Sequence, residues 1–265
     1  MEQNCQNCST LILNNFCDNC GQKKFKKIDR KYIWDEIQYT FLHTNKGFLY
    51  SIKNIIKNPG KTARAFIDGN RVNHYKPILL VFVLSGISTF ISVKIIGFEK
   101  IMSAFYAKET LNSGYMNDVI TSLKSYNSIL MLLFVPVFAL TTKLAFRKWG
   151  NNYYEHMVMN AYIVCVYTLF SIMIISPLLY LFKNNMDYFT VISSLTMLSV
   201  PFILIWFFKG FYPDKSLKSI FGSVLITFTF LSVLFLLLMV LAVIGGVIYA
   251  MVAGPEALEY FKPKQ

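Results

Sequence analysis

Apolar positions are spread unevenly along this chain: beyond Pro77 they gather into long runs, while the first 76 residues are polar and basic. A helix crosses a bilayer with about 20 residues. Five runs meet that length: Pro77–Ile96, Asn127–Phe146, Val158–Phe182, Phe189–Phe208 and Ser219–Tyr249. The last is longer than a crossing needs, which predicts a helix that tilts, bends near Gly245-Gly246 or extends past the bilayer. The second is interrupted by Pro136 and by Thr141-Thr142-Lys143. Lys94 and Lys143 fall near run ends, where their stems let the ammonium reach the interface. The connection Gly97–Tyr126 balances three cations against three anions and has room for a short helix.

Before Pro77 the pattern has helical period but mixed polarity. Ile33, Trp34, Ile37 and Phe41 fall on one face of an expected amphipathic helix, with Asp35, Glu36 and Gln38 on another. After a break at His43–Gly47, Phe48, Leu49, Ile52, Ile55 and Ile56 line a second helix, and Lys46, Lys53 and Lys57 lie off that face. Pro59-Gly60 is expected to stop it. Both helices are too short and too charged to span. They suit the membrane interface, and packing on each other or on the bundle is the alternative. Ala63, Phe66 and Ile67 predict a further short helical stretch closed by Gly69 at C′. Tyr75 reads as an interfacial aromatic, and Pro77 suits the first turn of a helix.

Composition supports the membrane reading. Of 265 residues, 55% are hydrophobic, above the roughly 45–50% of a soluble domain. The net charge of +12 would suggest nucleic acid in a soluble protein. Beside hydrophobic runs, an anionic membrane surface is the simpler partner. The same choice applies to Lys23, Lys24, Lys26, Lys27, Arg30 and Lys31: a lipid-attracted linker, with nucleic-acid binding as the alternative. Residues 1–30 hold no apolar segment of signal-peptide type, so the N-terminus is expected in the cytoplasm. Alternating the five runs puts 18 Lys and Arg on the side of the N-terminus and six on the other. The positive-inside rule then predicts an N-in, C-out chain in an inner membrane.

Four of the five cysteines fall in two knuckles, Cys5-Gln6-Asn7-Cys8 and Cys17-Asp18-Asn19-Cys20, eight residues apart. Two Cys-x-x-Cys pairs supply four thiolates for one tetrahedral zinc ion. Gly21 permits the left-handed backbone that a knuckle needs, and Leu11, Ile12, Leu13 and Phe16 are expected to form the hairpin between the knuckles. A segment of this size cannot bury a core, so the metal must supply its folding energy. Four ligands close the site, which points to a structural ion. Disulfides suit a cytoplasmic head poorly, and a thioredoxin-like redox pair lacks its strand–helix context. Cys165, alone in an apolar run, reads as a small core or lipid-facing residue.

Chemistry elsewhere is sparse. Arg71, His74 and Lys76 precede the first run and are the candidates for contact with an anionic headgroup or phosphate, Arg71 by a bidentate clamp. Glu155 and His156, followed by Asn160, start the third run; they read as a helix-start acid with an interfacial histidine, the alternative being a metal or proton site. Pro136, Pro177 and Pro201 lie inside three different runs, where prolines can mark broken helices around a cavity. No nucleophile elbow, phosphate loop, paired-carboxylate arrangement or His-x-x-x-His motif occurs, so a non-enzymatic role is expected.

The order of motifs is distinctive. Cys-x-x-Cys, Cys-x-x-Cys-Gly-Gln, Pro59-Gly60, Gly69-Asn70-Arg71 and Tyr75-Lys76-Pro77 entering a hydrophobic run resemble a bacterial membrane family, domain-of-unknown-function family 3667, over about the first hundred residues. The resemblance implies architecture and supplies no catalytic residues. The expectation is therefore an all-α integral membrane protein. It has a zinc ribbon (1–22), a basic neck with amphipathic interfacial helices (23–76), a five-helix transmembrane bundle (77–250) and a short polar tail (251–265). Its expected role is a cytoplasmic interaction module for a protein partner, carried on a bundle that anchors it or organises the membrane. A channel or carrier for a neutral or lipidic solute is the alternative, marked by a cavity converging on Asn160, Tyr162, Tyr167 or Ser171. A membrane-tethered nucleic-acid binder is the third reading.

Overall fold

The computed structural model describes residues 3–5, 7–21, 47–71, 74–108 and 113–253. The expected helix around Ile33–Phe41, the cation run Lys23–Lys31 and residues 254–265 lie outside the described residues. Among the described residues the first helices are two short ones, α1 (Gly47–Lys57) and α2 (Pro59–Ile67). α3 (Pro77–Phe90) follows, and a π-helical segment, Ile91–Ile96, extends it. α4 (Phe98–Lys108) and α5 (Gly114–Ser125) occupy the connection expected to hold one short helix. Then come α6 (Asn127–Ala145) and α7 (Tyr153–Phe170). A second π-helical segment, Ser171–Ile175, leads from α7 into α8 (Ser176–Leu181). α9 (Met186–Phe211) and α10 (Leu217–Ala253) complete the described chain.

Among the described residues, five helical stretches are long and apolar enough to cross a membrane: Pro77–Ile96, Asn127–Ala145, Tyr153–Leu181, Met186–Phe211 and Leu217–Tyr249. Hydropathy places the apolar middle of each stretch, and polar caps place the ends. The third starts at Tyr153, ahead of the expected Val158, because Asn152 and Glu155 form a capping box there. The fourth starts at Met186, where the Asn185 side chain accepts from the Tyr188 amide. The second π segment has a local cause. Pro177 lacks an N–H, and its ring crowds the carbonyl four residues back, so the helix winds wider just before it.

α7 is the central helix. It packs against α6, α3, α2 and α9, and it buries Met159, Tyr162 and Cys165 completely. Cys165 is thus a core residue. At one end of the bundle, Phe146 stacks on Phe208 at 4.1 Å, and Trp149 meets both Phe146 and Tyr212 edge-on. α10 is different. Its burial is confined to its first turns, at Ile220, Ser223, Val224 and Thr227, and no residue from Thr229 to Tyr249 is buried. It continues as one helix through Gly245-Gly246. At 37 residues it is about 55 Å long, well beyond the roughly 30 Å of a hydrocarbon core, so it is one unbroken helix that exceeds a perpendicular crossing.

Candidate functional site

The cysteine head is built around its first knuckle. Gln3–Asn4 pairs antiparallel with Leu11–Ile12, so the short hairpin encloses Cys5–Cys8. Among the described residues the expected hairpin between the two knuckles is not seen, because the Leu11–Ile12 strand takes its partner from the strand that precedes Cys5. A Cys5 amide bond to Thr10 O and a Ser9 amide bond to Cys5 O, both 2.9 Å, close the turn, with Ser9 in the left-handed region at φ 60°. The second knuckle ends on the Gly21 amide, which donates to Cys17 O, and Gly21 takes the positive φ of 72° that only glycine adopts freely. Cys5, Cys17 and Ile12 are buried.

All four thiol sulfurs lie within 4.8 Å of one another. Cys5–Cys20 and Cys8–Cys17 approach to 3.5 Å, and Cys8–Cys20 to 3.4 Å. A tetrahedral site with metal–sulfur bonds near 2.3 Å has sulfur–sulfur edges of about 3.8 Å. The donor set therefore fits one four-coordinate thiophilic ion. The Asn7 amide points at Cys5 Sγ at 3.4 Å, the kind of contact that stabilises a bound thiolate. The Thr10 side chain and then its backbone lower the Cys8 thiol to about 6. Leu11, Leu13 and Phe16 are exposed.

The stretch from Asn58 to Pro77 joins the short helices to the bundle. Pro59-Gly60 opens a helix as well as ending one. The Asn58 amide closes α1 on Asn54 O, and the Asn58 side chain caps α2 by accepting from the Lys61 amide at 2.9 Å. Pro59 takes the first helical position, where its missing N–H costs nothing. α2 then lies backbone to backbone on the end of α9. A Cβ on Gly60 would sit 2.7 Å from Gly210 C and closer still to Phe207 O and Phe211 N. Arg64 Nη1 donates to Phe211 O at 3.3 Å. Asp68 and Gly69 end α2, Gly69 with φ 109°. α1 docks too, through Ile55 and through Ser51, whose hydroxyl accepts from the Tyr75 amide at 2.7 Å. Leu49 and Ile56, from the expected apolar face, remain exposed.

Arg71 and Lys76 are exposed; Arg71 Nε donates to Phe66 O, and its guanidinium sits 5.6 Å from the Phe66 ring. His74, grouped with them from sequence, is buried against the Tyr50 and Phe66 rings. Burial holds its imidazole below the usual histidine range. Tyr75 is buried as well, in place of the expected interfacial position, because its amide and ring are taken by Ser51 and Phe48.

Glu155 is the expected helix-start acid: its Oε2 accepts from the Asn152 amide at 2.8 Å and from Asn151 Nδ2 at 3.0 Å. His156 is fully buried, not interfacial. The Thr142 hydroxyl donates to Phe138 O, so it accepts from Asn160 Nδ2 at 2.8 Å and from His156 Nδ1 at 3.1 Å. That bonding puts the imidazole hydrogen on Nδ1, and His156 Nε2 is left buried without a partner among the described residues. Asn151 ties three helices together. Its carboxamide oxygen accepts from Tyr212 Oη at 2.7 Å, and its backbone carbonyl accepts from Lys143 Nζ. The signal for it was present in the sequence, since Asn151-Asn152-x-x-Glu155 is a capping-box pattern.

Of the four residues expected around a cavity, Tyr167 and Ser171 line one of about 410 Å³ between α3, α6 and α7. Asn160 and Tyr167 border a mainly apolar one of about 380 Å³. Tyr162 is buried in the core, with its hydroxyl unpartnered among the described residues.

No curated protein and no solved structure matches this chain. The model of a family described as a protein of unknown function (DUF3667) matches residues 45–89. The match covers α1, α2, the joint and nearly all of α3 and leaves out the four-cysteine head, so the likeness expected over the first hundred residues is narrower than the motif order implied.

Proposed function

We propose that this multi-pass membrane protein acts without enzymatic chemistry, as an anchored interaction protein. Its cytoplasmic head would hold one structural zinc ion on Cys5, Cys8, Cys17 and Cys20 and dock a protein partner. The observation behind this is a closed four-thiol cluster that leaves Leu11, Leu13 and Phe16 exposed on a head of some twenty residues. Exposed apolar side chains on so small a unit, rigid only when metal-bound, suit an induced-by-metal contact surface. The cation excess on the N-terminal side supports an N-in, C-out orientation in a bacterial inner membrane. Arg71 and Lys76 are the exposed cations assigned to anionic headgroups; His74 packs inward and serves the joint. Nucleic acid is the disfavoured partner of the basic neck.

The test uses the full chain in cells. Leu13→Asp and Phe16→Asp keep the ligands, and Cys5→Ser and Cys17→Ser remove them. The expected result is one zinc per purified wild-type chain by elemental analysis, retained in the first pair and lost in the second. Specific crosslinks to cytoplasmic protein are lost in both pairs. An unchanged crosslinking pattern in all four variants refutes the docking role.

A further inference from the structure

The cavity between α3, α6 and α7 is lined by hydroxyls from two helices and a carboxamide from a third. Ser85, Ser88, Thr89 and Ser92 fall at i, i+3, i+4 and i+7, a single face of the first long helix. Thr168 and Ser171 bring a second set, Tyr167 adds a phenol, and Asn127 adds a carboxamide. Hydroxyls in an apolar bundle usually satisfy themselves on the carbonyl one turn back. Thr89 and Thr168 do so, to Ser85 O and Val164 O. Ser88, Ser92 and Ser171 make no side-chain hydrogen bond among the described residues. Ser92 lies within one π-helical segment and Ser171 begins the other. Wider turns of this kind recur at functional positions, and here both border the same cavity.

The bonding also sets the polarity of the wall. The Thr89 hydroxyl donates to Ser85 O, so it accepts from Asn127 Nδ2 at 2.7 Å. Asn127 Oδ1 is left as an acceptor beside hydroxyls that both donate and accept. Among the described residues no charged side chain lines the cavity, so an ionised ligand would lose its hydration with no countercharge from them. Val93, Phe98, Met102, Leu123 and Met131 supply the apolar remainder among the described residues. A volume near 410 Å³ is in the range of small-ligand sites, roughly 300–1,000 Å³.

We propose that this cavity binds an uncharged, hydroxyl-bearing group, supplied by a free polyol or by the head of a neutral glycerolipid. This site is independent of the metal head and uses none of its residues. Native mass spectrometry of the full chain in mild detergent tests it, with 1,2-dioleoylglycerol and sorbitol as the neutral probes. Dioleoyl phosphatidate is the control with the same chains and a charged head. The expected result is saturable binding of a neutral probe in preference to phosphatidate; saturation by dioleoylglycerol alone identifies the lipid source, and saturation by sorbitol the free polyol. Ser88→Ala, Ser92→Ala and Ser171→Ala each weaken binding by about threefold to tenfold, the loss of one neutral hydrogen bond. Ser92→Leu, which also fills space, abolishes it. Ser194→Leu, away from the cavity, leaves it unchanged. Equal binding of phosphatidate, no saturable neutral binding, or wild-type affinity in all three alanine variants overturns the proposal.

Discussion

Gly60→Ala is the sharpest probe of the joint, because the change is normally favourable in a helix. Alanine exceeds glycine by about 1 kcal/mol of helix propensity. At Gly60 the new methyl would meet the α9 backbone, with Gly210 C only 2.7 Å from its carbon. Carbon atoms settle at about 3.5–4.0 Å, so α2 must retreat by roughly 1 Å. A gap of that order forfeits about a quarter to a half of each dispersion contact along the interface. The Arg64–Phe211 bond, already 3.3 Å, is lost as well. Overpacking costs about 1–3 kcal/mol and the hydrogen bond about 1, so a loss of about 2–4 kcal/mol is expected against the propensity gain. Thermal unfolding of the full chain in mild detergent, followed by tryptophan fluorescence, reads this directly. Trp149 lies 4.7 Å from the Tyr212 ring at the end of α9. The midpoint should fall on the order of 5–10 °C. Gly86→Ala and Gly222→Ala are the controls, since nothing lies within 4 Å of a Cβ at either position, and both should hold or raise the midpoint. A Gly60→Ala midpoint at or above wild type would refute the close approach.

Thr142→Val should destabilise by about 1–2 kcal/mol, because it strands His156 Nδ1 and one hydrogen of Asn160 in the core, whereas Thr142→Ser should restore most of the loss in the same unfolding assay. His74 sets a pH dependence. Its folded affinity for a proton is below that of the unfolded chain, so its stabilising contribution is complete above the ordinary pKa of about 6.5 and is lost as pH falls through the folded value. The unfolding midpoint should therefore drop between pH 7.5 and 5, and His74→Phe should flatten that drop. Tyr212 works in the opposite range: burial, then the nearby Glu155 charge, raises its phenol. Absorbance at alkaline pH should show it unionised where exposed tyrosines titrate near 10, with its stabilisation failing only as pH rises further. Removing the metal with a chelator should make the segment Cys5–Gly21 protease-sensitive and leave the midpoint of the bundle unchanged.

The bundle was legible in the sequence because runs of Leu, Ile, Val and Phe can satisfy backbone polar groups in lipid only as helices. The four-cysteine cluster was legible because its spacing is local. What the sequence obscured was anything decided by distant partners. His156 and His74 look alike in sequence to exposed histidines near a membrane surface, and only the arrival of Thr142 in one case and of Tyr50 and Phe66 in the other buries them. Pro59-Gly60 reads as a stop signal from local rules, since nothing nearby reveals that Gly210 will need the space of a missing side chain. The π-helical segment at Ile91–Ile96 carries no proline to announce it.

The contact of α2 on α9 also has a consequence for biogenesis. Arg64 and the carbonyl it binds are 147 residues apart, and α2 leaves the ribosome long before α9 exists. At about 5–20 residues per second, α2 waits roughly 7–30 s for its berth. Until α9 has been inserted, the glycine face of α2 and the polar backbone opposite it have no partner. Completion of the joint is therefore a late checkpoint in synthesis, and a chain halted after α7 would carry an α2 that rests on α7 but still lacks its seat on α9.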